Sequence, residues 1–186
     1  EALIADGSMP PYTTIAENEP LALFESGKVA MCMFGSWQSD LLNNEYVKEH
    51  CDLAVLPSKD GKRVSIYNGL GWSAAAEGSN TENAWKLLEY LSSEEAQKQQ
   101  ADLGVTMSAC EGTSDGFVNK SEIFNLQAYL DMMEDVVIRP YSMDTVVWEN
   151  MSIETLVNAW NGTSSMADTC RQIAESMNAS LAQEQK

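Results

Sequence analysis

Phe24-Glu25-Ser26-Gly27-Lys28-Val29-Ala30-Met31-Cys32-Met33-Phe34-Gly35-Ser36-Trp37 is the stretch on which the reading of this chain turns. Apolar and β-branched residues from Val29 to Phe34, with glycines on both sides, predict a short buried strand. That strand runs into Gly35 and offers a large aromatic, Trp37, just past its end. In α/β proteins ligands gather at strand termini, on turns where glycine lets other groups come close. The element therefore points to binding rather than catalysis, with Trp37 in the site.

Upstream, Pro10-Pro11 and Pro20 bracket a polar connection, and Leu21 to Ser26 reads as a short helix. The opening Glu1-Ala2-Leu3-Ile4-Ala5-Asp6-Gly7 reads as the end of a helix closed by a C-cap glycine, so the chain is expected to be a fragment. Downstream, Gln38 to Lys48 reads as helical, and Asp52-Leu53-Ala54-Val55-Leu56 as a second buried strand stopped by Pro57. Val64 to Tyr67 resumes extended structure, and Asn68-Gly69-Leu70-Gly71-Trp72 crosses into Ser73-Ala74-Ala75-Ala76. Ser79-Asn80-Thr81-Glu82 has the spacing of a capping box, opening a helix with Ala84, Leu87, Leu88 and Leu91 on one face. Ser92-Ser93-Glu94-Glu95 caps another helix running to Gly104.

Residues 105–121 read as loop, and Asn125 to Asp135 as helix. Val136-Val137-Ile138 is a brief extended piece before Pro140. The next helix carries Ile153, Leu156, Val157 and Trp160 and ends at Asn161-Gly162. The last begins near Ser164-Ser165, with Cys170, Ile173, Ala174, Met177 and Leu181 as its stripe. Helices outnumber strands.

Composition narrows the function. Among 186 residues, 44% are hydrophobic and 21% charged, which is ordinary for a folded chain. The net charge of −17 is spread evenly: acids exceed bases 10 to 5 in residues 1–66, 9 to 3 in 67–126 and 9 to 3 in 127–186. Nucleic-acid binding needs a basic patch to neutralise phosphates, and none exists. No run of apolar residues is long enough to span a bilayer. Cys32, Cys51, Cys110 and Cys170 are separated by 19, 59 and 60 positions, and the single histidine, His50, adjoins Cys51. That spacing opposes a metal site; buried free thiols are expected at Cys32 and Cys170, with disulfides left open.

Catalytic constellations are equally thin. His50 has few of the partners a triad needs, and Glu94-Glu95 and Glu134-Asp135 are neighbours that cannot face each other on a helix. Gly69-Leu70-Gly71 is too short for a dinucleotide loop. Sequons at Asn119, Asn150, Asn161 and Asn178 are expected by chance in such a composition. No cofactor is expected. The aromatics say more. Trp85 and Trp160 fall on apolar stripes and read as core. Trp37 and Trp72 each stand at a strand-to-loop transition near glycine, while Tyr141 and Trp148 flank a helix start after Pro140. Rings at such positions stack on the C–H faces of sugars, and nearby polar groups bond the hydroxyls.

Several segments in order resemble the extracellular solute-binding proteins of family 1, the sugar-binding subunits of ABC importers. The likeness is carried by Leu23 to Met31 with Phe34-Gly35-Ser36-Trp37, by Asp52 to Pro57, and by Gly69 to Ala75. The run from Asn80 to Gln97 and the closing Asn161-Gly162 continue it. The resemblance is to the C-terminal part, since the family runs about twice this length. It implies a two-lobed α/β fold of the periplasmic-binding-protein-like type II, here its helix-rich C-terminal portion. Residues 1–66 and 127–186 would belong to the C-terminal lobe and 67–126 would cross into the N-terminal lobe. Trp37 matches the family's stacking aromatic, the Gly71-Trp72 region would line the cleft, and Trp148 falls where another stacking aromatic is found. Ser36, Gln38 and Asn68 are added as polar neighbours. The expected partners are a sugar or oligosaccharide and the importer's permease subunits. The expected setting is extracellular, as a membrane-anchored lipoprotein or a periplasmic protein. The alternatives are an acidic extracellular glycoside hydrolase and a non-catalytic helical interaction module.

Overall fold

The computed structural model describes residues 2–38, 41 and 43–184. In chain order the helices α1 (Ala2–Ala5), α2 (Tyr12–Glu17), α3 (Pro20–Glu25) and α4 (Glu45–His50) precede strand β1 (Ser65–Tyr67). Then come α5 (Thr81–Leu91), α6 (Glu94–Asp102), α7 (Asp115–Val118) and α8 (Gln127–Asp131), which a 3-10 turn at Met132–Asp135 joins to strand β2 (Val136–Ile138). Helices α9 (Thr145–Trp160) and α10 (Met166–Glu184) close the chain. Two compact units result: Phe24–Arg139, and the residues up to Leu23 together with those from Pro140 onward.

In the Phe24–Arg139 unit the two strands pair in parallel, with Ser65 opposite Val136, Ile66 opposite Val137 and Tyr67 opposite Ile138. Helix α6 starts where the sequence places it: Ser93 Oγ accepts from the Ala96 N–H at 3.2 Å, and Glu94 and Glu95 sit in the positively polarised first turn. It ends just before Gly104, whose φ of +67° suits glycine. Helix α7 packs against α6, and the approach is close enough that a Cβ on Gly116 would overlap Asp102. The core gathers there: Ala101, Phe117 and Leu126 are almost fully buried, and Phe117 meets Tyr129 edge-on with ring centroids 6.2 Å apart. Asp52 ties in a distant segment by accepting from the Asn125 N–H at 2.8 Å.

The other unit rests on α9 against α10, with Trp148, Ala159 and Thr169 buried. Helix α9 stops at Gly162, in the left-handed region at φ +73°. Helix α10 opens with a reciprocal box: Ser165 Oγ donates to the Asp168 carboxylate at 2.7 Å and accepts from the Asp168 N–H at 3.1 Å.

Several expectations are corrected. Val29 to Phe34 is not a buried strand: no neighbouring strand pairs with it among the described residues, and Met31 and Met33 are 89% and 80% exposed. Asp52 to Leu56 likewise runs without a strand partner. Both sequences favour extended backbone, but a strand also needs a neighbour to bond. The helix expected over Gln38–Lys48 is described only from Glu45 to His50; residues 39, 40 and 42 lie outside the described residues. The box expected at Ser79 is displaced, because α5 takes Asn80 as its N-cap and Glu82 falls one position too early to reach back. Within the expected loop, residues 115–118 form α7. On α5, Leu87 is exposed while Ala84, Leu88 and Leu91 are half-buried. On α10 the expected Ile173, Met177 and Leu181 are half-buried, but Ala174 is exposed and the stripe continues toward the N-terminus through Thr169 rather than Cys170. Thr169 is buried and Cys170 is exposed, so the latter is not a buried thiol.

Candidate functional site

Gly35-Ser36-Trp37-Gln38 form a tight turn, closed by the Gln38 N–H donating to the Gly35 carbonyl at 3.1 Å. The indole of Trp37 folds back over Gly35, and a Cβ there would overlap its six-membered ring. Glycine thus provides a flat seat for the ring while leaving Trp37 63% exposed. Ser36 and Gln38, both half-buried, flank it on the same turn. An aromatic plane with a hydroxyl and an amide beside it is chemically suited to a polyhydroxylated ring.

Trp72 lies elsewhere in the same unit, 58% exposed, on the wall of an open cavity of about 380 Å³. The run Ser73–Ala76, Thr81 and Leu88 supply the rest of the lining, together with Trp85. Trp85 is a correction: it was expected in the core but is 62% exposed, its indole N–H donating to Glu89 at 3.0 Å. Helical periodicity assigned it to the apolar face; the only hint otherwise is a carboxylate one turn on, able to bond that N–H. Asn68 and Gly71, in the crossing after β1, are exposed, and a Cβ at Gly71 would meet nothing within 4 Å.

Tyr141 and Trp148 belong to the other unit. Tyr141 is 82% exposed, whereas Trp148 is only 9% exposed. The Trp148 indole N–H donates to Ser142 Oγ at 2.8 Å, so this ring sits beneath the Tyr141 segment rather than offering a face. Ser142 Oγ in turn donates to the Glu184 carboxylate at 2.7 Å, which also accepts from the N–H groups of Asp144 and Met143 at 2.8 and 3.2 Å. The Ser142 hydroxyl, the Asp144 N–H and, to a lesser degree, the Met143 N–H hold the Glu184 carboxyl below its ordinary pKa, against an opposing effect of burial.

Among the described residues His50 has Tyr46, against whose ring its own tilts at 4.6 Å, and Glu49 at 3.7 Å, not the partners of a catalytic base. Asp135 faces Arg63 at 4.0 Å. Among the described residues no group of three or more His, Cys, Asp or Glu side chains could hold a metal ion. The four cysteines are free, and burial pushes the Cys32 thiol up in pKa. Among the described residues no helix is long and apolar enough to cross a membrane.

Residues 1–98 match the family described as bacterial extracellular solute-binding protein. The chain belongs to that family. Its members are receptors without catalysis, which answers the hydrolase alternative. The helix-rich architecture with its small parallel sheet matches part of an ABC substrate-binding protein from Listeria monocytogenes solved in complex with cycloalternan, with a TM-score of 0.77 at 17% identity. The match covers 93% of this chain and 45% of that one, so this chain spans less than half the length of the protein whose fold it shares. At that identity the likeness is one of fold. No curated protein sequence matches the chain.

Proposed function

We propose that this chain is part of a carbohydrate-binding receptor that delivers a sugar or oligosaccharide to the permease of an ABC importer. The observation that carries the reading is the Trp37 indole, exposed and seated on Gly35 within the stretch matched to the family. Ser36 and Gln38 are the hydroxyl partners on that turn, and Trp72, Gly71, Asn68 and Tyr141 are further contacts. Trp148 takes part by supporting Tyr141 through Ser142. The cycloalternan held by the Listeria protein, an oligosaccharide, supports the same ligand class. The complete receptor would have the two-lobed type II fold, with residues 1–66 and 127–186 in one lobe, 67–126 in the other, and closure about the hinge on binding. It would work outside the cytoplasm, as a lipoprotein or in the periplasm.

Titration calorimetry of the complete receptor against mono- and oligosaccharides tests this. Trp37→Ala should lose about 1–3 kcal/mol of sugar affinity, the worth of one stacking contact. Equal affinity in the variant removes Trp37 from the site, and silence across the sugars sinks the ligand class.

A further inference from the structure

The segment that presents Tyr141 is restrained from both sides. On one side Pro140 fixes its own φ and limits its predecessor. On the other, Ser142 has every polar group engaged. Its N–H donates to Thr145 Oγ1 at 2.6 Å, its carbonyl accepts from the same hydroxyl at 2.8 Å, and its own hydroxyl both accepts from Trp148 and donates to Glu184. Helix α9 starts just beyond, and its N-cap residue, Asp144, makes no side-chain capping bond. The backbone N–H groups that lead into the helix are instead met from a distance. Glu184, some 40 residues later at the end of α10, accepts from the N–H groups of Met143 and Asp144 as well as from the Ser142 hydroxyl. A carboxylate at a helix N-terminus is also favoured by the polarity of the helix.

We infer that Glu184 is a positioning residue for the binding surface: its carboxylate fixes the backbone from Ser142 to Asp144 and thereby holds the exposed Tyr141 ring ready for the solute. This rests on the proposal that Tyr141 touches the sugar. The directed chain Trp148 N–H to Ser142 O–H to Glu184 carboxylate satisfies the indole N–H of the buried Trp148, and its bond stops the Ser142 hydroxyl from turning elsewhere. A bare staple between two helices would need one such bond. Three acceptor bonds converging on the residues next to an 82% exposed aromatic suit a surface that must not move.

The test uses the complete receptor, with amide hydrogen exchange and NMR of the Met143, Asp144 and Trp148 indole N–H signals, and with calorimetry using cycloalternan as the probe. Glu184→Ala should shift all three signals and speed exchange at 143 and 144, and Glu184→Gln, which keeps one accepting oxygen, should restore them in part. Cycloalternan affinity should fall about fivefold in Glu184→Ala, a loss of the size expected for a hydrogen bond or two. That fall should vanish in a Tyr141→Ala background, because the carboxylate acts through the ring. Unchanged N–H signals in Glu184→Ala would overturn the inference, and so would an undiminished effect of Glu184→Ala in the Tyr141→Ala background. If Tyr141→Ala alone leaves binding intact while the Glu184-dependent signals persist, the assignment of Tyr141 to the site is what fails, and the positioning role goes with it. Ser142→Ala gives a second reading, expected to move the Trp148 signal and leave the Asp144 amide bonded.

Discussion

Trp37 lies back upon Gly35, so that the residue offering the exposed ring and the residue that seats it are two positions apart on one turn. Gly35→Ala puts a methyl group into the space of the indole, and the ring must swing away. The expected outcome is a loss of about 1 kcal/mol in sugar affinity with little change in unfolding midpoint, since the ring displaced is a surface one. Calorimetry and urea denaturation on the same preparation check both halves. A variant that unfolds early yet binds normally when folded would contradict the seat.

Glu184 makes stability depend on pH in a stated direction. Its folded pKa is depressed by the Ser142 hydroxyl and by the N–H groups of Asp144 and Met143 below the ordinary glutamate value of 4.5. A depressed carboxylate contributes stability above the unfolded pKa and loses it as pH falls through the folded one. The stability gap between the native protein and Glu184→Gln should therefore be constant from neutral pH to about 5 and close below 4.5. Urea midpoints of the two proteins across that range decide it; a gap that widens in acid rejects the hydrogen-bonded carboxylate.

Gly116→Ala is expected to destabilise the Phe24–Arg139 unit by about 1–3 kcal/mol, the usual cost of forcing atoms into a packed contact. The added methyl would strike the Asp102 backbone, where α7 crosses α6 over the buried Phe117. A midpoint equal to that of the native protein would show that the two helices stand further apart than the structure has them.

The five tryptophans should divide by accessibility. Acrylamide should quench Trp37, Trp72 and Trp85 readily in this chain, because each is more than half exposed, quench the half-buried Trp160 less, and leave Trp148 the most shielded. In a Trp160→Phe background, Trp148→Phe should thus remove the poorly quenched emission. If the shielded fraction survives that change, the bond to Ser142 and the burial it accompanies are misplaced.

What the sequence disclosed and what it withheld follow from the range of the forces involved. Helices α6, α9 and α10 were legible because their signals are local: the Ser93 cap, the apolar repeat leading to Asn161-Gly162, and the serines before Met166. Pairing is not local. Val29 to Phe34 and Asp52 to Leu56 have strand composition, yet nothing in those residues specifies a partner. Val136 to Ile138 does find one, 71 positions away from its opposite residues in β1. Periodicity likewise names a helix face without naming what covers it, which is why Trp85 read as core, and why Cys170, at the margin of the α10 stripe, read as buried where Thr169 is. At Trp37 the sequence offered an aromatic beside glycine, and the structure leaves that ring exposed on the Gly35 turn. Glu184 was invisible, because its three bonds join residues some 40 positions apart.

The run from Val29 to Phe34, strand-like in composition yet unpaired, bears on how this polypeptide behaves in the test tube. Its alternate side chains, Met31 and Met33, are bare, and no strand among the described residues lies alongside it. A lone ribbon of that kind is a template on which a second chain can add itself, and the repulsion of a −17 surface is what opposes such stacking. Salt weakens that repulsion, so concentrated samples of this chain should keep best at low ionic strength, and a lysine at position 31 or 33 should extend their shelf life.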